Sequence, residues 1–190
     1  MLYRLAQLKK TVEHTGWHKG KDKMSATIEI CESNGAGQTV SHNITNSNMG
    51  SADAVNLVAA DYPIVPGANS YEKWQRFHVT DMGGSSSIEN LKVWRVTALG
   101  GSAVHLTNAR TTSYGGAPTY ATPVATDSSI ATQTMPTTEP ASANLGIGGS
   151  LTGALTATGY SDYLVHQIQT DAGDTAGASA TMHYQYDEIA

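Results

Sequence analysis

Residues 181–188 (TMHYQYDE) alternate between apolar or aromatic side chains and polar ones. Successive side chains of a β-strand point to opposite faces of the sheet, so this spacing places Met182, Tyr184 and Tyr186 on one face. The polar residues between them fall on the other face. The segment therefore predicts a strand that buries one face in a hydrophobic core.

The segment before it, residues 160–170 (YSDYLVHQIQT), follows the same period and places Tyr163 and Val165 on one face. Residues 171–177 between the two segments contain two glycines and two aspartates, which are typical turn residues. Two successive strands joined by such a Gly-rich segment predict a closing β-hairpin.

Three segments earlier in the chain also alternate, namely residues 26–31, 74–80 and 88–96. Together the five segments predict an all-β fold, an antiparallel β-sandwich of the Ig-like or jelly-roll type. The side chains that we assign to its core share an apolar face of one of these strands. They are Ile28, Ile30, Phe77, Val79, Leu91, Val93, Tyr163, Val165, Met182, Tyr184 and Tyr186.

The composition agrees with this fold class. Only 14% of the 190 residues are charged, 19 are glycines, and Ser, Thr, Ala and Asn are abundant. Such a chain is poor in the long side chains that favour helices and rich in β-branched and turn residues. The composition therefore argues against a helical bundle and against a large α/β enzyme.

Charge divides the chain near residue 23. Residues 1–23 carry six basic and two acidic side chains, a net charge of +4, whereas residues 24–190 carry a net charge of −9. We expect residues 1–23 to form an N-terminal arm outside a β-sandwich domain of residues 24–190. The leucine spacing in residues 2–12 predicts a short amphipathic helix in this arm. The residues expected to contact a partner are Leu2, Arg4, Leu5, Leu8, Lys9, Lys10 and Trp17.

Residues 97–159 hold three charged residues and four prolines. We expect a long, loop-rich insert of low charge here, in which the prolines exclude a long helix. Short apolar pieces at residues 104–106 and 151–155 are compatible with strands. The uncharged Thr, Ser and Ala surface suits either contact with another subunit or a solvated loop.

No active site or cofactor site is predicted. Residues 146–151 (GIGGSL) begin like the nucleotide-binding motif G-x-G-x-x-G but lack its last glycine. They also lack the lysine of phosphate-binding loops. Residues 148–153 (GGSLTG) miss the motif of a serine nucleophile by one residue. We therefore expect no catalytic residue and no cofactor, and a protein that is not an enzyme. Paired carboxylates for glycoside chemistry stay open, because their separation depends on the fold.

The metal-ligating residue types form no recognised motif, and no metal site is predicted. Cys31 is the only cysteine, which argues against a disulfide within the chain and against a cysteine-based zinc site. We interpret it as a small buried apolar residue. His14 and His18 have no third ligand at suitable spacing, and Asp171 and Asp174 lack the pattern of a calcium loop. We interpret both pairs as solvated side chains.

The acidic main domain repels phosphate groups, so we expect no nucleic-acid partner for it. No stretch reaches the roughly 18 consecutive apolar residues of a membrane span, so no membrane partner is expected. The N-terminal apolar run is also too short for the core of a signal peptide. These observations predict synthesis in a cytoplasm.

Residues 64–77 (IVPGANSYEKWQRF) and 88–94 (IENLKVW) resemble virion proteins of tailed bacteriophages, in particular head decoration (cement) proteins. The ending resembles them as well, at residues 161–165 and 184–188. The ending is also similar to the last two strands of Ig-like modules. The resemblance leaves out residues 97–159 and includes no catalytic residue.

The resemblance implies a structural protein of the virion, made in the host cytoplasm and attached to the capsid through its N-terminal arm and subunit contacts. The implied partners are the major capsid protein or other virion subunits, and further copies of this chain, for example in a trimer. The same residues are compatible with a tail or neck component. The alternative from another class is a carbohydrate-binding or adhesin-type module, with Trp74 or Trp94 as the platform for a glycan.

Overall fold

The structure of the protein is a computed structural model. It describes residues 3–6, 8–10, 25–35, 39–110, 130–144, 153–174 and 179–190, with the backbone alone at residues 3–6, 8–10 and 110. Every regular element within these residues is a β-strand, which confirms the predicted all-β fold. Among the same residues, none forms a helix of the length and apolarity needed to cross a membrane.

The described part of the chain contains twelve strands. They are β1 (Tyr3–Ala6), β2 (Leu8–Lys10), β3 (Thr27–Asn34), β4 (Thr39–Ser41), β5 (Asn46–Met49), β6 (Lys73–Asp81), β7 (Ser87–Arg95), β8 (Val104–Arg110), β9 (Gln133–Thr134), β10 (Gly159–Tyr160), β11 (Tyr163–Gln169) and β12 (Met182–Ile189). Each of the five segments in which the sequence alternates overlaps with strands of the structure. Residues 26–31 overlap with β3, 74–80 with β6, 88–96 with β7, 160–170 with both β10 and β11, and 181–188 with β12.

The larger sheet has the strand order β4-β3-β6-β11-β8-β9, and its pairs are antiparallel. β10 pairs with β6 as well, so β10 and β11 follow one another along the same side of β6. β8 comes from the stretch that was expected to be loop-rich, and it pairs with β11 from Val104 to Arg110.

A smaller sheet has the order β2-β12-β7, and β1 pairs with β5 as a separate two-stranded sheet. Apolar side chains of β3, β6 and β11 from the larger sheet and of β7 and β12 from the smaller sheet form one core cluster. Two sheets that share one core make a β-sandwich-like arrangement. The choice between Ig-like and jelly-roll strand order stays a prediction.

The side chains assigned to the core lie in the interior. Ten of the eleven are buried, and Ile30 is half-buried against the central cluster. Tyr163 and Val165 belong to a second cluster with Trp74, whose ring meets that of Tyr163 edge to face at 5.4 Å. β11 therefore packs apolar side chains on both faces, because Ile168 on the opposite face contributes to the central core.

The helix predicted for residues 2–12 is wrong. β1 pairs antiparallel with β5, and β2 pairs parallel with β12. A helix of this length is only marginally stable by itself, whereas the edges of β5 and β12 offer backbone hydrogen bonds that an extended segment satisfies. The predicted boundary of the arm at residue 23 lies outside the described residues.

The predicted closing hairpin is also wrong, because β11 lies in the larger sheet and β12 in the smaller one. The turn after β11 is fixed by Asp174, which is buried rather than solvated. Its Oδ1 accepts a hydrogen bond from the Ser102 N–H at 2.6 Å, and its Oδ2 accepts one from the Asp171 N–H at 2.7 Å. Gly101 (φ +70°) must be glycine here, since a Cβ would lie 2.2 Å from Asp174 Oδ1.

Candidate functional site

Four side chains of metal-ligating types meet on the outer face of the larger sheet: Glu29, Cys31, His42 and His78. Glu29 and Cys31 lie two residues apart on β3 and therefore point to the same side. His78 lies opposite Glu29 on β6. His42 directly follows β4, which pairs with β3 on its other side. Strand register thus gathers three segments of the chain into one cluster.

The donor atoms of the cluster are in contact. Glu29 Oε1 accepts hydrogen bonds from Nδ1 of His42 and from Nδ1 of His78, each at 2.7 Å. Cys31 Sγ lies 3.5 Å from the same oxygen and 3.3 Å from His42 Nδ1. Cys31 is buried, Glu29 and His78 are half-buried, and the His42 side chain is 51% exposed. The cluster therefore opens to solvent beside His42.

The acid–base state of the cluster follows from these contacts. Burial opposes ionisation of Glu29, but the hydrogen bonds that His42, His78 and Cys31 donate outweigh it and lower the pKa to about 2. Desolvation, followed by the negative charge of Glu29, raises the pKa of the Cys31 thiol to about 12. A carboxylate and a neutral thiol thus face the two imidazoles near neutral pH.

Aromatic and cationic side chains border the cluster on the β6 side. The His78 ring stacks on the Tyr160 ring, with centroids 4.0 Å apart and an interplanar angle of 9°. The Arg76 guanidinium lies 3.8 Å from the centroid of Tyr160 and 4.6 Å from that of Tyr163. Arg76 is also opposite Cys31 in strand register. The stack restricts the orientation of the His78 imidazole and holds a permanent positive charge near the thiol.

A second polar cluster lies on the opposite face of β3. Buried Glu32 pairs with buried Lys73, whose Nζ is 3.3 Å from Glu32 Oε1 and donates to Asn34 Oδ1 at 2.6 Å. Ser47 and Gln75 donate hydrogen bonds to Oε2 of Glu32. Desolvation opposes ionisation of Glu32, but the Lys73 charge and these hydrogen bonds outweigh it and lower its pKa. The Glu32 carboxyl group is therefore ionised inside the protein.

The ion pair of Glu32 and Lys73 lines a cleft of about 370 Å³, and residues 56–60 form part of the opposite wall. The segment that contains this wall exposes several large apolar side chains. The exposed fraction is 53% for Val58 and 64% for Val65. The cleft therefore has the ion pair of Glu32 and Lys73 on one wall and part of the exposed apolar segment on the other.

Two further histidines, His105 on β8 and His166 on β11, are fully buried. His105 Nε2 and His166 Nδ1 are 3.0 Å apart, so one ring nitrogen donates to the other. Their second nitrogens have no hydrogen-bond partner among the described residues. Desolvation lowers the pKa of both, that of His166 to about 4. Nearby in sequence, desolvation raises the pKa of buried Asp162 to about 6.

The residues expected to contact a partner are divided between two sheets. The described ones are Arg4 and Leu5 in β1, and Leu8, Lys9 and Lys10 in β2. Leu2 and Trp17 lie outside the described residues, as do His14 and His18.

The outer cluster of Glu29, Cys31, His42 and His78 was not predicted, because its residues come from separate segments of the chain. Cys31 and His42 are 11 positions apart, and Glu29 and His78 are 49 positions apart. The interpretation of Cys31 as a buried residue took no account of its neighbours. The available signal was the two-residue spacing of Glu29 and Cys31 on the polar face of β3. No family model, curated protein or solved structure matches this chain.

Proposed function

We propose that the protein is a non-enzymatic structural subunit of a virion, a capsid decoration protein that contacts other subunits through an exposed apolar loop. The observation that carries this proposal is the loop of residues 55–65. It contains Val55, Val58, Tyr62 and Val65, four of the seven exposed large apolar side chains among the described residues. Concentrated exposed apolar surface is typical of sites that bind other proteins.

The loop is held in place by its buried residues and by hydrogen bonds. Leu57 and Ile64 are buried between the exposed positions. The Ser51 N–H donates to the carbonyl of Tyr62 at 3.0 Å, and Asn48 Nδ2 donates to the carbonyl of Leu57 at 2.8 Å. A loop that is already ordered loses less conformational entropy when it binds a partner. This order supports a role as a contact surface.

The charge of the loop supports the same role. Residues 55–65 contain one charged residue, Asp61, and the centres of protein interfaces are depleted in charged residues.

Sedimentation of the purified protein at micromolar concentration tests the contact surface. We expect a homo-oligomer that dissociates when Val58 and Val65 are both replaced by lysine, because two charges then enter an apolar interface. The matched control replaces Val96 and Val104, which are exposed but lie outside the loop, by lysine and is expected to leave the oligomer intact. A monomeric wild-type protein would overturn the proposed contact between copies.

Mass spectrometry of purified particles of the virus that encodes the chain tests whether the protein is part of the virion. We expect to find the chain in the particles in amounts comparable to those of other structural subunits. Particles that lack the chain would overturn it. Binding of the purified protein to isolated capsids then distinguishes decoration from a tail or neck position.

The alternative of a glycan-binding module requires an exposed tryptophan, and both candidate tryptophans are buried. Trp74 is buried, and its indole Nε1 donates to Glu72 at 3.0 Å. Trp94 is buried as well, and its ring packs against that of His183 at 5.1 Å. Neither tryptophan presents the open face on which a sugar ring stacks.

A further inference from the structure

We propose that Glu29, Cys31, His42 and His78 bind one Zn²⁺ ion per chain. The cluster supplies one thiol, two imidazole nitrogens and one carboxylate oxygen, which is a complete set of four donors. Structural zinc sites are almost always tetrahedral, with four protein ligands of these types. The inference is independent of the proposed role in a virion.

The distances between donor atoms suit a tetrahedral ion. Bond lengths of about 2.0–2.1 Å to nitrogen or oxygen and about 2.3 Å to sulfur separate the donors of such a site by roughly 3.3–3.6 Å. Cys31 Sγ already lies 3.3 Å from His42 Nδ1 and 3.5 Å from Glu29 Oε1. The two contacts of 2.7 Å from Glu29 to the histidines are hydrogen bonds. They lengthen by less than about 1 Å when the ion takes the place of the two Nδ1 protons and each imidazole carries its proton on Nε2 instead.

The sheet holds three of the four ligands in place before any ion binds. Glu29, Cys31 and His78 lie on β3 and β6, two paired strands of the larger sheet. The stack of His78 on Tyr160 further restricts one imidazole. Ligands on paired strands are more precisely placed than ligands on loops. His42 is the exposed ligand beside β4, where an ion can enter from solvent.

The donor set selects the class of metal. Sulfur and imidazole ligands suit Zn²⁺ and related transition-metal ions, whereas Ca²⁺ and Mg²⁺ prefer oxygen ligands. A divalent cation also balances the charges of the Glu29 carboxylate and the Cys31 thiolate that forms on binding. Four protein ligands leave no open position for substrate, which is the pattern of a structural rather than a catalytic site. We therefore infer that the ion fastens the segment after β4 to the larger sheet.

Titration of the untagged, chelator-treated full chain with Co²⁺, followed by elemental analysis of the Zn²⁺-loaded protein, tests the site. We expect one equivalent of bound Zn²⁺ and, with Co²⁺, the absorption of a tetrahedral ion together with a thiolate-to-metal charge-transfer band. Cys31→Ser should abolish the charge-transfer band. Loss of a group that only orients a ligand weakens binding about 10–100-fold, so we expect His42→Gln or His78→Gln to weaken it at least as much.

Two control variants separate this site from adventitious binding. His183→Gln removes a histidine of the smaller sheet, and a double variant with glutamine at His14 and His18 removes the pair near the N-terminus. Both controls should keep one equivalent of Zn²⁺ and the charge-transfer band. Less than one tightly bound equivalent in the wild-type protein, a Co²⁺ spectrum without the band, or loss of binding in either control would overturn the proposal. Circular dichroism confirms that each variant is folded.

Discussion

Glu29 and Glu32 lie three residues apart on β3 and face opposite sides of the larger sheet. Glu32 is buried and pairs with Lys73 at 3.3 Å, while Glu29 is half-buried and pairs with His42 and His78 at 2.7 Å. Both carboxyl groups have a lowered pKa. Two glutamates on one strand therefore have different partners, a lysine on the inner face and two histidines on the outer face.

The difference shows how each face balances a carboxylate. On the inner face the partner is the ammonium group of Lys73, which is held by hydrogen bonds. If this group were lost, the Glu32 carboxylate would be buried without a compensating charge. On the outer face the partners are the imidazoles of His42 and His78, which are metal-ligating groups, and the His42 side chain is 51% exposed. The inner pair is therefore a structural feature, and the outer cluster is suited to exchange with solvent.

Removal of Lys73 from the buried pair with Glu32 should destabilise the protein strongly. Lys73→Met leaves the Glu32 carboxylate buried without its cation, and loss of one partner of a buried pair costs about 3–5 kcal/mol of unfolding free energy. Urea unfolding measures this change. The matched control is Lys92→Met, because Lys92 pairs at 2.7 Å with Glu139, which is 50% exposed. We expect the control to lose no more than about 1 kcal/mol.

A second variant identifies the cause of that loss. If the uncompensated charge is responsible, adding Glu32→Gln to Lys73→Met should recover part of the stability, because no charged carboxylate then remains buried. Equal losses in Lys73→Met and Lys92→Met would contradict the assignment of the inner pair as a structural feature.

A buried histidine on the inner face, His166, makes the stability of the protein depend on pH. The pKa of inner His166 is about 4 in the folded protein, below the ordinary value near 6.5, so the unfolded chain takes up the proton first. The stability that neutral His166 contributes is therefore complete above about pH 6.5 and is lost as the pH falls towards 4. The expected slope is roughly 1.4 kcal/mol per pH unit, and about 3 kcal/mol over the whole window.

Urea unfolding of the wild-type protein and of His166→Gln between pH 4 and 7 measures this slope. The raised pKa of Asp162 acts in the opposite direction over much of the same range, and it cancels in the difference between the two proteins. We expect a smaller slope in the variant. Identical slopes would show that His166 does not remain neutral in the folded protein.

The sequence predicted the strands better than their partners. Alternation marks β3, β6, β7, β11 and β12, because each buries at least one apolar face. β5 (Asn46–Met49) has no such pattern in its sequence, so its pairing with β1 could not be predicted from alternation. The closing hairpin failed because a Gly-rich segment specifies a turn but not the sheet to which the next strand belongs. That choice depends on distant contacts.

Both carboxylate sites lie beyond what the sequence predicts for the same reason. Glu32 and Lys73 are buried charged residues, and no spacing rule links them across paired strands. The outer cluster needed the register of β3 with β6, which places Glu29 opposite His78. In contrast, the burial of Cys31 followed from its position in a strand-like stretch.

On the outer face, loss of one histidine should cost little stability as long as no metal ion is bound. In metal-free protein, His42→Gln removes a partner whose side chain is 51% exposed, and exposed ion pairs contribute only about 0–1 kcal/mol. Glu29 keeps its hydrogen bond from His78, so we expect a loss of less than about 1 kcal/mol in urea unfolding. With Zn²⁺ present, the wild-type protein should gain stability that the variant does not, because an ion that binds only the folded state stabilises it. A loss in metal-free His42→Gln as large as that of Lys73→Met would mean that both faces hold their carboxylates by the same kind of fixed pairing.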